Sequence, residues 1–199
     1  PCEISALEGA VEAAAKGLIQ PWYVGRAEKI KELAASKGLK LDASRIVDAR
    51  HSHESAVRAV ELVRLGKAEL LMKGSLHTDE LLSAVVARDA GLRTGRRISH
   101  VFIMDVPTYH KVLIITDAAI NIAPTLEDKV DICQNAIDLA ISLGVERPKL
   151  AILAAVETVN SKMSATLDAA ALCKMAERGQ IKGAILDGPL AFDNAISKE

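Results

Sequence analysis

Short apolar runs alternate along the chain with longer segments in which apolar residues recur at helical spacing. The runs are Trp22–Val24, Ile46–Val47, Leu70–Met72, Val101–Met104, Val112–Thr116, Leu150–Ala154 and Ala184–Leu186. Runs this short and this uniformly apolar predict strands covered by helices on both faces. Between them, Ile30, Leu33 and Ala34 form one helical stripe, and Val57, Val60 and Val63 another. Ser5-Ala6-Leu7-Glu8 has the spacing of a capping box ahead of an Ala-rich helix that fades at Gly17. Thr125 precedes Leu126-Glu127-Asp128, which puts acids in a first helical turn; Ile132, Ala136, Ile137 and Ala140 follow, and Gly144 ends the stripe. Gly38, Gly66, Gly91 and Gly179 sit just past other stripes, where a left-handed helix cap calls for glycine. Val101–Met104 and Val112–Thr116 have no helix between them, and their short linker, Asp105 to Lys111, predicts an antiparallel pair or a switch between lobes.

This alternation predicts an α/β protein with mostly parallel sheets and right-handed crossovers. It breaks near Gly91–Ser99, at Gly91, Gly95 and the pair Arg96-Arg97. The expected division is a first α/β lobe over 1–96 and a second over 97–199.

Composition narrows the function classes. With 50% apolar and 26% charged residues, the chain has the makeup of a globular domain rather than a disordered or low-complexity one. The net charge is −1 and the basic residues are scattered, so no basic face for nucleic acid is visible. Trp22, Tyr23, Phe102, Tyr109 and Phe192 are too few to build a base-stacking platform. The longest apolar run, Leu150 to Val156, is far short of a membrane span. Cys2, Cys133 and Cys173 form no Cys-x-x-Cys pair, which predicts reduced thiols and a cytoplasmic setting. The opening at Pro1 without Met and the close at Glu199 just after a loop predict an internal piece of a longer chain.

In open α/β sheets ligands collect beyond the carboxyl ends of strands. Candidate loops under that rule are Asp48–His53, Lys73–Thr78, Thr116–Asn121, Glu157–Ser161 and Asp187–Pro189. Lys73–Thr78 is the most suggestive. After an expected strand, Gly74 allows close backbone approach, and Lys73, Ser75 and Thr78 offer a cation and two hydroxyls for a phosphate. It matches neither a Walker A loop nor a dinucleotide turn. Asp79 and Glu80 would repel an anion there, and Thr78 as a plain helix cap accounts for the same residues. His77 would need an unnamed partner to act as a general base. His51 and His53 offer two ring nitrogens but no third ligand, so no metal is expected, and Ser52 or His53 serves as a helix cap. Asp117 and Asp187 each offer a carboxylate to orient a ligand hydroxyl or, in the commoner role, to tie down its own loop; Ser161 or Ser164 is read as the cap of the following helix, and Cys133 and Cys173 as core residues.

Several segments together resemble the phosphate acetyl/butyryl transferase family. They are Gly66–Glu69 through Lys73–Leu81, then Ser99–Pro107, Thr116–Thr125 and Ile185–Ile196; the opening Pro1-Cys2-Glu3 is similar to a segment inside that family's N-terminal part. The resemblance covers nearly the whole chain in order. It implies a two-lobed isocitrate/isopropylmalate dehydrogenase-like fold with its site in an interlobe cleft. It also implies a homo-oligomer, commonly a homodimer. The implied reaction is acyl-CoA (acetyl-CoA or butyryl-CoA) plus phosphate giving CoA plus acyl phosphate, by direct transfer, with coenzyme A as a substrate and neither a permanently bound cofactor nor a metal. Under it, Lys73, Gly74, Ser75, His77 and Thr78 bind phosphate or CoA, with Asn121 and Ser161 as secondary contributors. The family's Ser-Arg pair and Asp near its C-terminus find no match, so the catalytic residues are unassigned and the chain is expected to be truncated at both ends. Other readings are an acyltransferase using acyl carrier protein and a non-catalytic CoA- or acyl-phosphate-binding module. A dehydrogenase of the same fold lacks the expected acidic cluster and dinucleotide fingerprint.

Overall fold

A computed structural model describes residues 2–197. Pro1, Lys198 and Glu199, which enter the readings of the two chain ends, lie outside the described residues. The fold is mixed α/β, and the chain divides into two compact units, Pro1–Thr94 and Gly95–Glu199.

In the first unit the order is α1 (Ile4–Ala15), β1 (Tyr23–Gly25), α2 (Ala27–Ser36), β2 (Ile46–Asp48), α3 (Ser52–Arg64) and α4 (Thr78–Val85). β1 and β2 pair in parallel, Tyr23 opposite Ile46 and Gly25 opposite Asp48. The core forms because Leu7 and Ala10 of α1 and Ile30 and Ala34 of α2 lie on matching helical faces around Tyr23. α1 begins one residue before Ser5, with Glu3 as its cap and no side-chain capping bond, so the expected Ser5–Glu8 box does not form. The Leu7 N–H already bonds to the Glu3 carbonyl at 3.2 Å, which extends the first turn past Ser5. α3 buries Ala56, Val60 and Leu62, whereas Val57 is exposed. Its inward face is therefore rotated from the expected Val57/Val60/Val63 stripe.

The expected strand Leu70–Met72 is absent. Leu70 and Met72 are 74% and 62% exposed, and among the described residues β1 pairs with β2 alone. An apolar run creates strand propensity, but a strand exists only where a neighbour completes its ladder. Gly38 and Gly66 do hold positive φ at helix ends. Gly91 does not; it is required because a Cβ there would meet the Ala87 and Val85 carbonyl oxygens at 2.4 Å.

The second unit contains β3 (Val101–Met104), β4 (Leu113–Thr116), α5 (Leu126–Ser142), β5 (Lys149–Leu153), α6 (Ser164–Glu177), β6 (Ile185–Leu190) and α7 (Phe192–Ile196). β3 and β4 are antiparallel, Val101 opposite Thr116; β5 and β6 are parallel, with an irregularity between Ala151 and Leu153. α5 starts with a reciprocal capping box, in which Thr125 Oγ1 accepts from the Asp128 N–H at 3.2 Å and Asp128 Oδ2 accepts from the Thr125 N–H at 2.9 Å. Cys133 and Ile137 of α5, Leu172 of α6 and Ile181 make the core over Leu150, Ile152 and Leu186. Each fully buried Ile or Leu contributes about 1.5–3 kcal/mol from burial, so this face decides where α5 lies. No helix among the described residues is long and apolar enough to cross a membrane.

Gly188 and Pro189, expected in a loop, fall inside β6. A Cβ on Gly188 would lie 2.7 Å from the Ile152 carbonyl oxygen and 2.9 Å from the Ile152 Cβ, so only glycine lets β6 pass β5 this closely. Gly188→Ala is expected to cost about 1–3 kcal/mol, read as a lower urea midpoint with unchanged slope. A midpoint equal to the parent's would mean that the two strands separate without penalty.

Candidate functional site

Because β1 and β2 run parallel, both carboxyl ends open on the same side of the first unit. Asp48 Oδ1 accepts the Ala27 N–H at 2.8 Å, which satisfies a free donor at the start of α2, and the Ala49 N–H bonds the Gly25 carbonyl at 3.0 Å. His51 then caps α3, its Nδ1 accepting the Glu54 N–H at 3.2 Å. Neither Ser52 nor His53 is the cap. Glu54 accepts from the Arg50 N–H (2.9 Å), Arg50 Nε (3.1 Å) and Arg58 Nη2 (2.9 Å). These bonds, the Arg50 N–H foremost, hold its carboxyl at about 2. Glu54 thus grips the inner nitrogens of Arg50, while the Arg50 side chain stays 84% exposed.

Beyond these strand ends lies a hollow of about 480 Å³ bordered by Arg26, Lys29, Arg50, Ser75, His77 and Glu80. Three cations, a hydroxyl and the first turns of α2 and α3 suit it to a small anion. Glu80 does not face the hollow as a lone negative charge, because Oε1 accepts from Ser52 Oγ at 2.6 Å and lies 3.1 Å from His53 Nδ1, and Oε2 accepts the His77 N–H at 3.0 Å. Its carboxyl sits below the usual range, chiefly through the Ser52 hydroxyl.

The Lys73–Thr78 segment is divided by the fold. Ser75 and His77 border the small hollow. Lys73 and Gly74 instead border a wider one of about 1000 Å³, with Leu18, Trp22, Leu70 and Met72. The Lys73 ammonium donates to the Gly74 carbonyl at 3.2 Å. Thr78 borders neither hollow and is the first residue of α4, capped by His77 rather than by Thr78. Since Leu70–Met72 is not a strand, the segment is no strand-to-helix junction. Arg26 and Lys29 lie outside the candidate loops, although Arg26 follows the first apolar run after a single glycine and the same strand-end rule points to it. Among the described residues no three His, Cys, Asp or Glu side chains are grouped to hold a metal. His51 and His53 are engaged as a cap and on Glu80 respectively.

The second unit holds the other candidates. The Asn121 amide donates to the Ile98 carbonyl at 3.0 Å and to Asp117 at 2.5 Å, and its oxygen accepts from Arg97 Nε. Arg97 is also paired with Asp128 at 3.0 Å, and its N–H donates to Asp131 at 2.8 Å. Asn121 is therefore a strut of this network. Ser161 is exposed in a turn, and neither it nor Ser164 caps α6, whose cap is Met163. The buried Thr166 hydroxyl secures that turn instead, accepting the Asn160 N–H at 2.9 Å and donating to the Met163 carbonyl at 2.8 Å. Burial pushes the Cys133 thiol up to about 11, an inert core position.

A family model described as phosphate acetyl/butaryl transferase matches residues 52–199. The chain is 60% identical over 199 residues to the phosphate acetyltransferase of Rhizobium meliloti, covering 100% of this chain and 63% of that protein. It is 42% identical over 193 residues to the phosphate butyryltransferase of Clostridium acetobutylicum, covering 97% and 64%. The chain thus spans less than two thirds of the length of either relative. Among solved structures, a branched-chain phosphotransacylase from Enterococcus faecalis V583 aligns with TM-score 0.71 at 31% identity, over 92% of this chain and 63% of that one. A phosphotransacetylase from Streptococcus pyogenes aligns with TM-score 0.79 at 19% identity, over 98% and 68%, a likeness of fold.

Asp117 provides a test of the second-unit network. Burial pushes its carboxyl up, but the Ile120 and Ala119 N–H groups, each at 3.0 Å, and the Asn121 amide outweigh that and hold it at about 2. A carboxyl depressed on folding stabilises the protein above its unfolded value of about 3.9, and that contribution is lost as pH falls toward the folded value. Asp117→Asn should therefore lower stability at neutral pH and flatten the acid-side decline between about pH 5 and 2. Parallel curves for variant and parent would show that these bonds contribute nothing to folding.

Proposed function

The chain belongs to the phosphate acetyl/butyryl transferase family, and we propose that it binds and turns over an acyl-CoA and inorganic phosphate, giving CoA and acyl phosphate reversibly. The observation that carries this reading is the small hollow with Arg26, Lys29 and Arg50 on its rim and two helix N-termini beneath them. Phosphate enters as a nucleophile and must be held, desolvated and aimed. Cations supply the charge, while Ser75 and His77 give direction.

In the forward step a phosphate oxygen attacks the thioester carbonyl carbon. The tetrahedral oxyanion collapses, the C–S bond breaks, and the CoA sulfur leaves as thiolate to take a proton. The wide apolar hollow shares Val24, Ser55 and Leu76 with the small one, which supports its use for the acyl or pantetheine portion. Lys73 and Gly74 then serve the CoA side, and Thr78 acts through the start of α4. Direct transfer needs no acyl-enzyme, and the raised Cys133 and Cys173 thiols suit that route. The reading carries no assigned general base. An isocitrate/isopropylmalate dehydrogenase-like fold, a homodimer and the cytoplasm complete the reading. Coenzyme A is a substrate, with no resident cofactor.

A coupled assay of the protein with acetyl-CoA or butyryl-CoA and phosphate tests the activity. Arg50→Ala should raise the phosphate KM about ten- to a hundredfold, because charge-assisted hydrogen bonds contribute about 1.5–3 kcal/mol. Added salt should narrow that gap. Lys73→Ala should instead raise the KM for acyl-CoA and leave that for phosphate near the parent value. Parent-like kinetics for Arg50→Ala would remove phosphate from this hollow.

A further inference from the structure

Glu80 lies in the first turn of α4, where an acidic side chain ordinarily serves its own helix dipole. Here it also reaches a second helix. One carboxylate oxygen accepts from Ser52 Oγ (2.6 Å) and lies 3.1 Å from His53 Nδ1, both residues in the first turn of α3. The other oxygen takes the N–H of His77, the cap of α4, at 3.0 Å. The Glu80 side chain is only 11% exposed, while that of His53 is 72% exposed. One carboxylate therefore links the first turns of two helices at the wall of the small hollow.

The consequence is positional. Ser75 and His77 are reached through a segment, residues 67–76, that belongs to no helix or strand. Backbone outside a ladder has little else to fix it. Glu80 ties the end of this segment to α3 through both oxygens, one on the His77 N–H and the other on Ser52 Oγ of α3, whose own cap region carries Arg50. We propose that Glu80 is a positioning residue that sets the distance between the Ser75–His77 turn and the Arg50 side of the phosphate hollow. This inference rests on the reading of that hollow as the phosphate site. Glu80 touches no reacting atom. Its carboxylate faces two donors and the His53 ring, and its loss would release the turn rather than remove a ligand.

The geometry separates Glu80→Ala from Glu80→Gln. Alanine removes both hydrogen bonds and the contact with His53. Glutamine keeps one carbonyl oxygen for Ser52 or for the His77 N–H, but turns an amide donor toward the other. Phosphate KM should rise about tenfold in Glu80→Ala with kcat at saturating phosphate within about twofold, and Glu80→Gln should recover part of the loss. Ser52→Ala, which breaks one bond and leaves the carboxylate in place, should give a smaller rise in the same direction. Hydrogen exchange provides a readout independent of turnover. The amides of residues 75–80 should exchange faster in Glu80→Ala, whereas those of α2 should not change.

The outcomes separate the two ideas. If Arg50→Ala raises the phosphate KM but folded Glu80→Ala leaves both KM and exchange at parent values, the positioning role is wrong and the phosphate site stands. If exchange at 75–80 accelerates while neither variant moves the phosphate KM, the hollow is not the phosphate site and the positioning role for catalysis falls with it. A fall in kcat at constant KM would overturn the proposal in favour of direct participation in chemistry.

Discussion

Parallel pairing of β1 with β2 is the constraint from which the first unit follows. Two parallel strands cannot be joined by a tight turn, so the chain must cross back through α2 before β2 begins. The register then sets Gly25 beside Asp48, and both α2 and α3 start from the same edge. Unsatisfied N–H groups at helix starts are concentrated there, and the fold answers some of them itself, with Asp48 on Ala27 and His51 on Glu54. Arg26 and Arg50 are carried to that edge because each follows a strand end within two residues.

Both units pair basic residues with their own acids. In the second, Arg96 pairs with Asp138, Arg97 with Asp128 and Lys129 with Asp168. Two of these links join the segment after Gly95 to α5, and they hold a region where, among the described residues, β3 and β4 pair only with each other. Surface ion pairs are individually weak, typically under about 1 kcal/mol, so their value here is in fixing a path rather than in adding stability. In the first unit, Arg50 is held by its inner nitrogens with its outer edge in solvent. An arginine preset in this way loses less entropy on meeting an anion than a mobile one would.

Much of this was legible in the chain itself. The stripe Ile132, Ala136, Ile137 and Ala140 lies on the buried face of α5 between Thr125 and Gly144, and the runs at Val101 and Val112 became an antiparallel pair. The segments from Gly66 to Thr125 and from Ile185 to Ile196 carried the family resemblance. These signals are local. Helix periodicity, a cap and a glycine at positive φ depend on neighbours within about four residues, and the sequence displays those neighbours in order.

What only the tertiary structure decided involves partners far apart in the chain. Leu70–Met72 has strand composition but no ladder to join, and no property of those three residues could supply one. Glu80 read as a charge that would repel an anion, and became a link once Ser52, 28 residues earlier, came within 2.6 Å. Asn121, in sequence only a secondary candidate for orienting phosphate or the acyl carbonyl, donates its amide to Ile98 and Asp117 and accepts on its oxygen from Arg97, which is 24 residues away. A polar side chain's type states what it can bond, but its role is set by which donors and acceptors the fold brings within about 3 Å of it.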